Sequence, residues 1–206
     1  MKITCGPQHD RRDFEIVLPS EPKKLAVFVS GGIDSAILYY LLLLENKNLG
    51  NIHEIEPLMV ARKEGSKYFA NIVVAHVRDH FNLSPATATV VGNNTLPEEE
   101  QVKSGVLESY LRGFDIAYTG LIQQLPQHMI NWEPIPYRQT DKFKAPFADL
   151  DKSHIIELCI QLNQTALFYL THSCSAHEIS RCRNCNGCNE RSWGFEQLGQ
   201  IDPGTI

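Results

Sequence analysis

The chain has 206 residues, 43% hydrophobic and 21% charged, the composition of a soluble globular protein with room for a real core. A formal net charge of -5 argues against a bulk electrostatic footprint for DNA or RNA, although Lys23-Lys24 or Arg181-Cys182-Arg183 could form a local basic patch. No apolar run reaches the length of a membrane span, the longest lying around residues 36–44, and residues 1–13 lack a signal peptide's apolar stretch. The expected compartment is the cytoplasm, or the cytoplasm of an infected host.

In chain order, residues 25–29 (Leu-Ala-Val-Phe-Val) form a short apolar run ending in Ser-Gly-Gly, the pattern of a buried parallel strand. A helix follows over 34–46, with Gly50 just beyond it. A second strand is predicted over 56–61. An amphipathic helix covers 66–81, where Phe69, Ile72, Val73, His76 and Val77 recur at helical spacing. Residues 88–91 read as a third strand. Residues 97–112 read as a third helix, with Pro97 and three glutamates in its first turns, where they suit the dipole. A fourth strand over 115–119 is closed by Gly120. Residues 121–146, rich in Pro and Gln, read as a long functional loop or lid. Another helix over 151–161 carries Ile155, Ile156, Cys159 and Leu162 on one side, and 167–170 (Leu-Phe-Tyr-Leu) read as a last strand. Four strand–helix alternations predict an α/β fold, a parallel sheet with helices on both faces and its ligand site at the strands' carboxyl ends. The whole chain reads as a single domain: a core over 25–163 and a small C-terminal lobe over 171–206. Neither an internal repeat nor a low-complexity tract is present.

A strand ending in Ser30-Gly31-Gly32-Ile33-Asp34-Ser35 and running straight into a helix is an anion-binding arrangement. The glycines let backbone N–H groups turn towards an anion, and the helix N-terminus adds partial positive charge. Ser30 and Ser35 can donate hydroxyl hydrogen bonds. Asp34 calls for a Mg²⁺ between itself and any phosphate. No Gly-Lys-Ser/Thr follows, and Gly-x-Gly-x-x-Gly spacing is absent, so neither a Walker loop nor a dinucleotide fingerprint is present.

Four of the 6 cysteines, Cys174, Cys182, Cys185 and Cys188, crowd into fifteen positions. In a reducing compartment this reads as metal binding, and four thiolates suit a closed, structural Zn²⁺, with an iron–sulfur cluster the alternative. Zinc there would pin the C-terminal tail, and its loss is expected to reach the chemistry only indirectly. Cys159 reads as a small buried hydrophobe, and no role follows for Cys5.

The Ser30–Ser35 loop resembles the pyrophosphate loop of the ATP-pyrophosphatase superfamily, whose fold is Rossmann-like (adenine nucleotide alpha hydrolase-like). Thr171-His172-Ser173-Cys174, with His172 in place of a Trp, and the three later cysteines resemble the 7-cyano-7-deazaguanine synthase (QueC) family. So do Arg191, Gly194-Phe195, Gly199 and Asp202-Pro203, the Pro146-Phe147 and Lys152 segment, and Thr119-Gly120. The resemblance implies an ATP-dependent carbon–nitrogen ligase of queuosine (7-deazaguanine) biosynthesis, converting 7-carboxy-7-deazaguanine and ammonia through an acyl adenylate to the nitrile or its amide. It implies that Ser30, Gly31, Gly32, Ile33, Asp34 and Ser35 bind ATP with Mg²⁺, with Asp34, Ser35 and Lys152 catalytic. For Lys152 a phosphate or adenylate contact stands beside a solvated helix lysine; for Arg191, bracing of the zinc lobe stands before reach to the site. It further implies a homodimer acting on small molecules, with no membrane and no direct nucleic-acid partner. Where the family has a Tyr-Gly-Gln-Arg-His-like stretch, this chain has Val60-Ala61-Arg62-Lys63-Glu64-Gly65-Ser66. Pro136-Tyr137-Arg138-Gln139-Thr140-Asp141 occupies the region of its Tyr-Pro-Asp-Cys-Arg. The alternatives are a related ATPase activating a tRNA base or a protein terminus, and a non-catalytic zinc-ribbon binding module.

Overall fold

The structure is a computed structural model that describes residues 1–60, 66–123, 139–177 and 179–205. The stretch 61–65 and most of the segment expected as a lid, 124–138, lie outside the described residues. So do most of 60–66 and half of 136–141, the two stretches that differ from the family.

An antiparallel hairpin opens the chain, with β1 (Lys2–Cys5) paired to β2 (Arg12–Glu15) so that Lys2 faces Glu15 and Cys5 faces Arg12. The central sheet has five parallel strands in the order β5-β4-β3-β6-β7: β3 (Lys24–Phe28), β4 (Glu54–Val60), β5 (Thr89–Val91), β6 (Ile116–Thr119) and β7 (Phe143–Lys144). The helices are α1 (Ile33–Asn48), α2 (Ser66–His80), α3 (Glu98–Leu111), α4 (Lys152–Gln161), α5 (Leu167–Leu170) and α6 (Asn186–Gln197), with a 3-10 turn at Pro203–Thr205. The predicted α/β architecture is therefore present. No helix among the described residues is long and apolar enough to cross a membrane.

Alternation along β3 divides the core between two layers. Leu25, Val27 and Val29 join α1, α2 and α4 in one cluster, while Ala26 and Phe28 meet Leu58, Val91, Phe114 and Ala117 on the other face. Val106 and Tyr110 of α3 pack against that second face. α1 is apolar on nearly every side, with residues such as Ile33, Ile37, Leu38 and Leu42 fully buried. A helix of that kind must be sandwiched, and α1 lies between the sheet and α2, α4 and α5. Cys159 is fully buried, as its place on an apolar helix face predicts, and Cys5 proves to be core as well.

Three expectations are corrected. Residues 167–170 are a helical turn, not a strand: Leu170 N–H donates to Ala166 O at 3.2 Å and Thr171 N–H to Leu167 O at 3.1 Å. Leu167 and Phe168 are buried side by side while Tyr169 is exposed, which breaks the strand's alternation. An apolar run this short has no readable period of its own. The expected loop over 121–146 contributes a fifth strand, β7, at the sheet edge. The C-terminal lobe contains a 12-residue helix, α6, where the cysteine-rich composition suggested only a metal-pinned tail. Its signal was present in Cys188, Arg191, Gly194 and Phe195, all buried, at helical spacing.

Asp151, predicted inside a helix, is its N-cap. Its carboxylate accepts from Ser153 N–H at 2.9 Å and faces His154 Nδ1 at 2.8 Å, while Nε2 of the same ring lies 3.0 Å from Asp10 O. Burial raises the Asp151 pKa, but the bonds from His154 and Ser153 outweigh it and hold the carboxyl down to about 2. Because the folded value lies below the unfolded one, the carboxylate stabilises the fold above about pH 4 and loses that contribution as pH falls towards 2. The linked free energy is about 2 kcal/mol. Asp151→Asn is therefore expected to lower the urea midpoint at pH 7, and to leave a smaller drop between pH 5 and pH 2.5 than the parent shows.

Candidate active site

The loop after β3 stands at the switch point of the sheet: the chain runs from β3 outward through β4 to β5, then crosses back to β6 on the other side of β3. A cavity of about 240 Å³ opens there, lined by Phe28, Ser30, Asp34, Ser35, Met59, Thr119, Gly120 and Phe143 among others. Gly31 adopts φ +86°, and a Cβ there would lie 2.7 Å from Phe69 Cβ. Gly120 allows the end of β6 to approach the start of α1, because a Cβ would stand 2.8 Å from Ser35 N. Gly32 is the N-cap of α1, and no side chain caps that helix start, so its first turn is open to an external acceptor.

The two serines differ. Ser35 is buried, its hydroxyl donating to Gly32 O at 3.0 Å and accepting from Ser30 N–H at 3.1 Å, so it shapes the loop from within. Ser30 is exposed at the mouth, its Oγ 3.2 Å from that of Ser35. Ile33 is wholly buried and anchors the helix start.

Lys152 is no solvated helix lysine. Only 3% of its side chain is exposed, and Nζ lies 2.7 and 2.6 Å from the two Asp34 oxygens and 3.0 Å from Glu190 Oε2. Burial by itself would lower the Lys152 pKa, and the two carboxylates reverse this, leaving a raised value and a charged ammonium. Burial raises the Glu190 pKa, Lys152 opposes the rise, and Asp34 adds to it. Reading the chain alone did not single out Glu190. Nothing in its local pattern marks it, because its significance comes from α6 crossing α4.

That crossing is close. A Cβ on Gly194 would meet Lys152 Cγ at 2.7 Å and Ile156 Cδ1 at 2.8 Å, so only a glycine lets α6 settle over the lysine stem. A second strap joins the lobe to the loop: His172 N–H donates to Gly31 O at 2.9 Å, and its ring stacks on Phe69 at 4.5 Å and 12°. Arg191 braces the lobe, as the first of its two readings has it. The guanidinium is buried, donating to Asp202 Oδ2 at 2.9 Å, Thr171 Oγ1 at 3.1 Å and Phe168 O at 2.5 Å. Arg181 donates to the same Asp202 at 2.9 Å.

The thiols of Cys174, Cys182, Cys185 and Cys188 converge, with all four sulfurs within 4.8 Å of one another and none in a disulfide. Cys174 Sγ and Cys185 Sγ are 3.8 Å apart, and ligands at the usual Zn–S length on a tetrahedron stand about 3.8 Å apart. Several backbone N–H groups aim at the sulfurs: Cys182 N at Cys174 (3.4 Å), Cys185 N at Cys182 (3.2 Å) and Ser175 N at Cys185 (3.4 Å). Burial opposes ionisation of Cys185, and the Ser175 bond overcomes it, so the thiol sits below its ordinary range. Arg183, at φ 60°, makes the tight turn between the second and third cysteines. The donor set fits one zinc ion more closely than a cluster that must place several irons between its ligands. A Cβ on Gly187 would overlap the Ser173 carbonyl, so that glycine lets the first cysteine's segment pass α6.

A second group of possible metal ligands, Asp10, Asp151 and His154, is engaged in hydrogen bonds and ion pairs within the protein, including one from Arg12 to Asp10.

Two comparisons bear on this arrangement. A family model described as Queuosine biosynthesis protein QueC matches residues 98–199, which hold α3, α4, Lys152, Glu190 and all four clustered cysteines but not the Ser30–Ser35 loop. A 7-cyano-7-deazaguanine synthase of Oceanobacillus iheyensis is 28% identical over 104 residues, covering 48% of this chain and 46% of that protein. The chain thus spans about half the length of the curated relative it matches.

Proposed function

We propose, for a chain that belongs through residues 98–199 to the QueC family, that it is an ATP-dependent ligase converting 7-carboxy-7-deazaguanine and ammonia to 7-cyano-7-deazaguanine or its amide. The matches support a synthase or ligase of queuosine biosynthesis. The observation that carries the ATP-dependent reaction is the Ser30–Ser35 loop. It opens α1 at the switch point of the sheet, with a buried lysine set on its aspartate.

In this reading a carboxylate oxygen of the substrate attacks the α-phosphorus of ATP, the α–β anhydride bond breaks, and pyrophosphate leaves. Ammonia then attacks the acyl carbon, AMP departs, and nitrogen gives up a proton to leave the amide. The amide oxygen then attacks the α-phosphorus of a second ATP, releasing a second pyrophosphate, and loss of AMP completes the nitrile as two further protons leave nitrogen. The first-turn N–H groups of α1 and the Ser30 hydroxyl would receive the leaving phosphates. Asp34 would hold Mg²⁺, which offsets charge on those phosphates, and Lys152 would neutralise charge developing near the α-phosphate. The four cysteines would hold a structural zinc. The reading places the enzyme in the cytoplasm as a homodimer, without a membrane or direct nucleic-acid partner.

The test is a mass-spectrometric assay of the purified protein with Mg-ATP, ammonium and 7-carboxy-7-deazaguanine. The expected result is AMP together with the nitrile, or with a persistent amide if only the first activation occurs. Bound ATP with neither product would overturn the acceptor and favour a different one.

A further inference from the structure

We infer that Glu190 is a positioning residue, the group of the zinc lobe that keeps the Lys152 ammonium at the glycine loop while Asp34 turns to the nucleotide. The inference rests on the reading of the loop as an ATP site.

An ammonium has three N–H donors, and here three carboxylate oxygens lie within reach of it. Two belong to Asp34, at 2.6 and 2.7 Å, and the third is Glu190 Oε2 at 3.0 Å. The lysine stem leaves α4 beneath Gly194, where no Cβ obstructs it. α6 therefore supplies both the slot for the stem and one carboxylate for the head, so the lysine is set in part from outside the loop. Asp34 lies in the loop itself. A carboxylate that ligates Mg²⁺ gives up lone pairs it had offered to an ammonium, and Lys152 would then lose up to two of its three partners. Glu190 is anchored differently. Its helix is held by Arg191 on Asp202 and by the cysteine cluster, so its grip does not depend on what the loop binds. The carboxylates of Asp34 and Glu190 with one ammonium sum to a single negative charge, which favours an incoming cation rather than bare phosphate.

Steady-state kinetics of Glu190→Gln, Glu190→Asp and Glu190→Ala in the assay above provide the test, with zinc content and melting temperature followed in parallel. Glu190→Gln is expected to lower kcat by roughly 10- to 100-fold, with KM for ATP little changed, because a displaced lysine costs rate more than binding. Glu190→Asp, which keeps the charge one methylene short, should recover part of that loss, and zinc content should match the parent in both. Parental kinetics in Glu190→Gln would overturn the inference. So would a loss that tracks zinc release and is no smaller in Glu190→Asp than in Glu190→Ala. If the parent does not turn over these substrates, the proposed reaction fails on its own, and the positioning role is read without it. In that case Lys152 acetylation by a water-soluble succinimidyl ester is followed by mass spectrometry, with Lys144 as internal reference. Severalfold faster acetylation in Glu190→Gln supports positioning, and equal rates overturn it.

Discussion

Asp34→Asn is expected to reduce ATP-dependent AMP formation by at least about 100-fold, roughly 3 kcal/mol of transition-state stabilisation, while the α/β core stays folded. The substitution keeps the volume and removes the charge. Two roles disappear with it, since the amide is a poor magnesium ligand and a weaker partner for the Lys152 ammonium, which the carboxylate meets at 2.6 and 2.7 Å. The fold should survive because Glu190 still faces the ammonium at 3.0 Å and Ser35 still ties the loop to Ser30 and Gly32. Asp34 and Glu190 keep about a quarter of their side chains exposed, so the stability cost is expected to be about 1–2 kcal/mol, below that of breaking a fully buried pair. Thin-layer analysis of labelled AMP measures the first effect and urea denaturation the second. Unchanged turnover would remove the loop from the mechanism, and full biological activity in the variant would favour the non-catalytic zinc-ribbon reading.

The second large effect belongs to the lobe. Cys185→Ser is expected to lose about one equivalent of zinc per chain, because four thiolates make the closed site and three leave a position open. Zinc contributes on the order of 10 kcal/mol to the folding of small domains built around it, so the lobe is expected to open and become cleavable at Arg181 and Arg183. The chemistry should fall with it, since the lobe carries Glu190, which faces Lys152, and His172, whose N–H binds the Gly31 carbonyl. The expectation that metal loss acts on catalysis only indirectly is thus narrowed by two contacts. Metal analysis, limited proteolysis and turnover on the same sample measure all three effects. A parent protein free of metal, or a variant as resistant to proteolysis as the parent, would count against the zinc assignment.

The β3–loop–α1 unit was readable because its signals are local: an apolar run, two glycines and a helix-forming stretch follow one another within a few positions. The cysteine cluster was readable for the same reason, since ligand spacing within fifteen positions constrains geometry directly. The hairpin β1–β2 was not recognised, although Ile3, Cys5, Phe14 and Ile16 alternate, because two four-residue strands carry too few periods to stand out. α5 was misread because Leu-Phe-Tyr-Leu fits either period until burial on two adjacent residues decides it.

Local sequence was enough to set the class of fold, the position of the glycine loop and which four cysteines cluster, each a property of neighbours along the chain. Only the packing of α6 on α4 brings Lys152 and Glu190 together. These residues lie 38 positions apart in the chain, and Lys152 lies 118 from Asp34. No local pattern encodes a three-way ion pair assembled by one helix crossing another over a glycine. Burial is what gives that pairing its strength, because removing water from Lys152 turns a pair that would be weak at the surface into one that fixes the site.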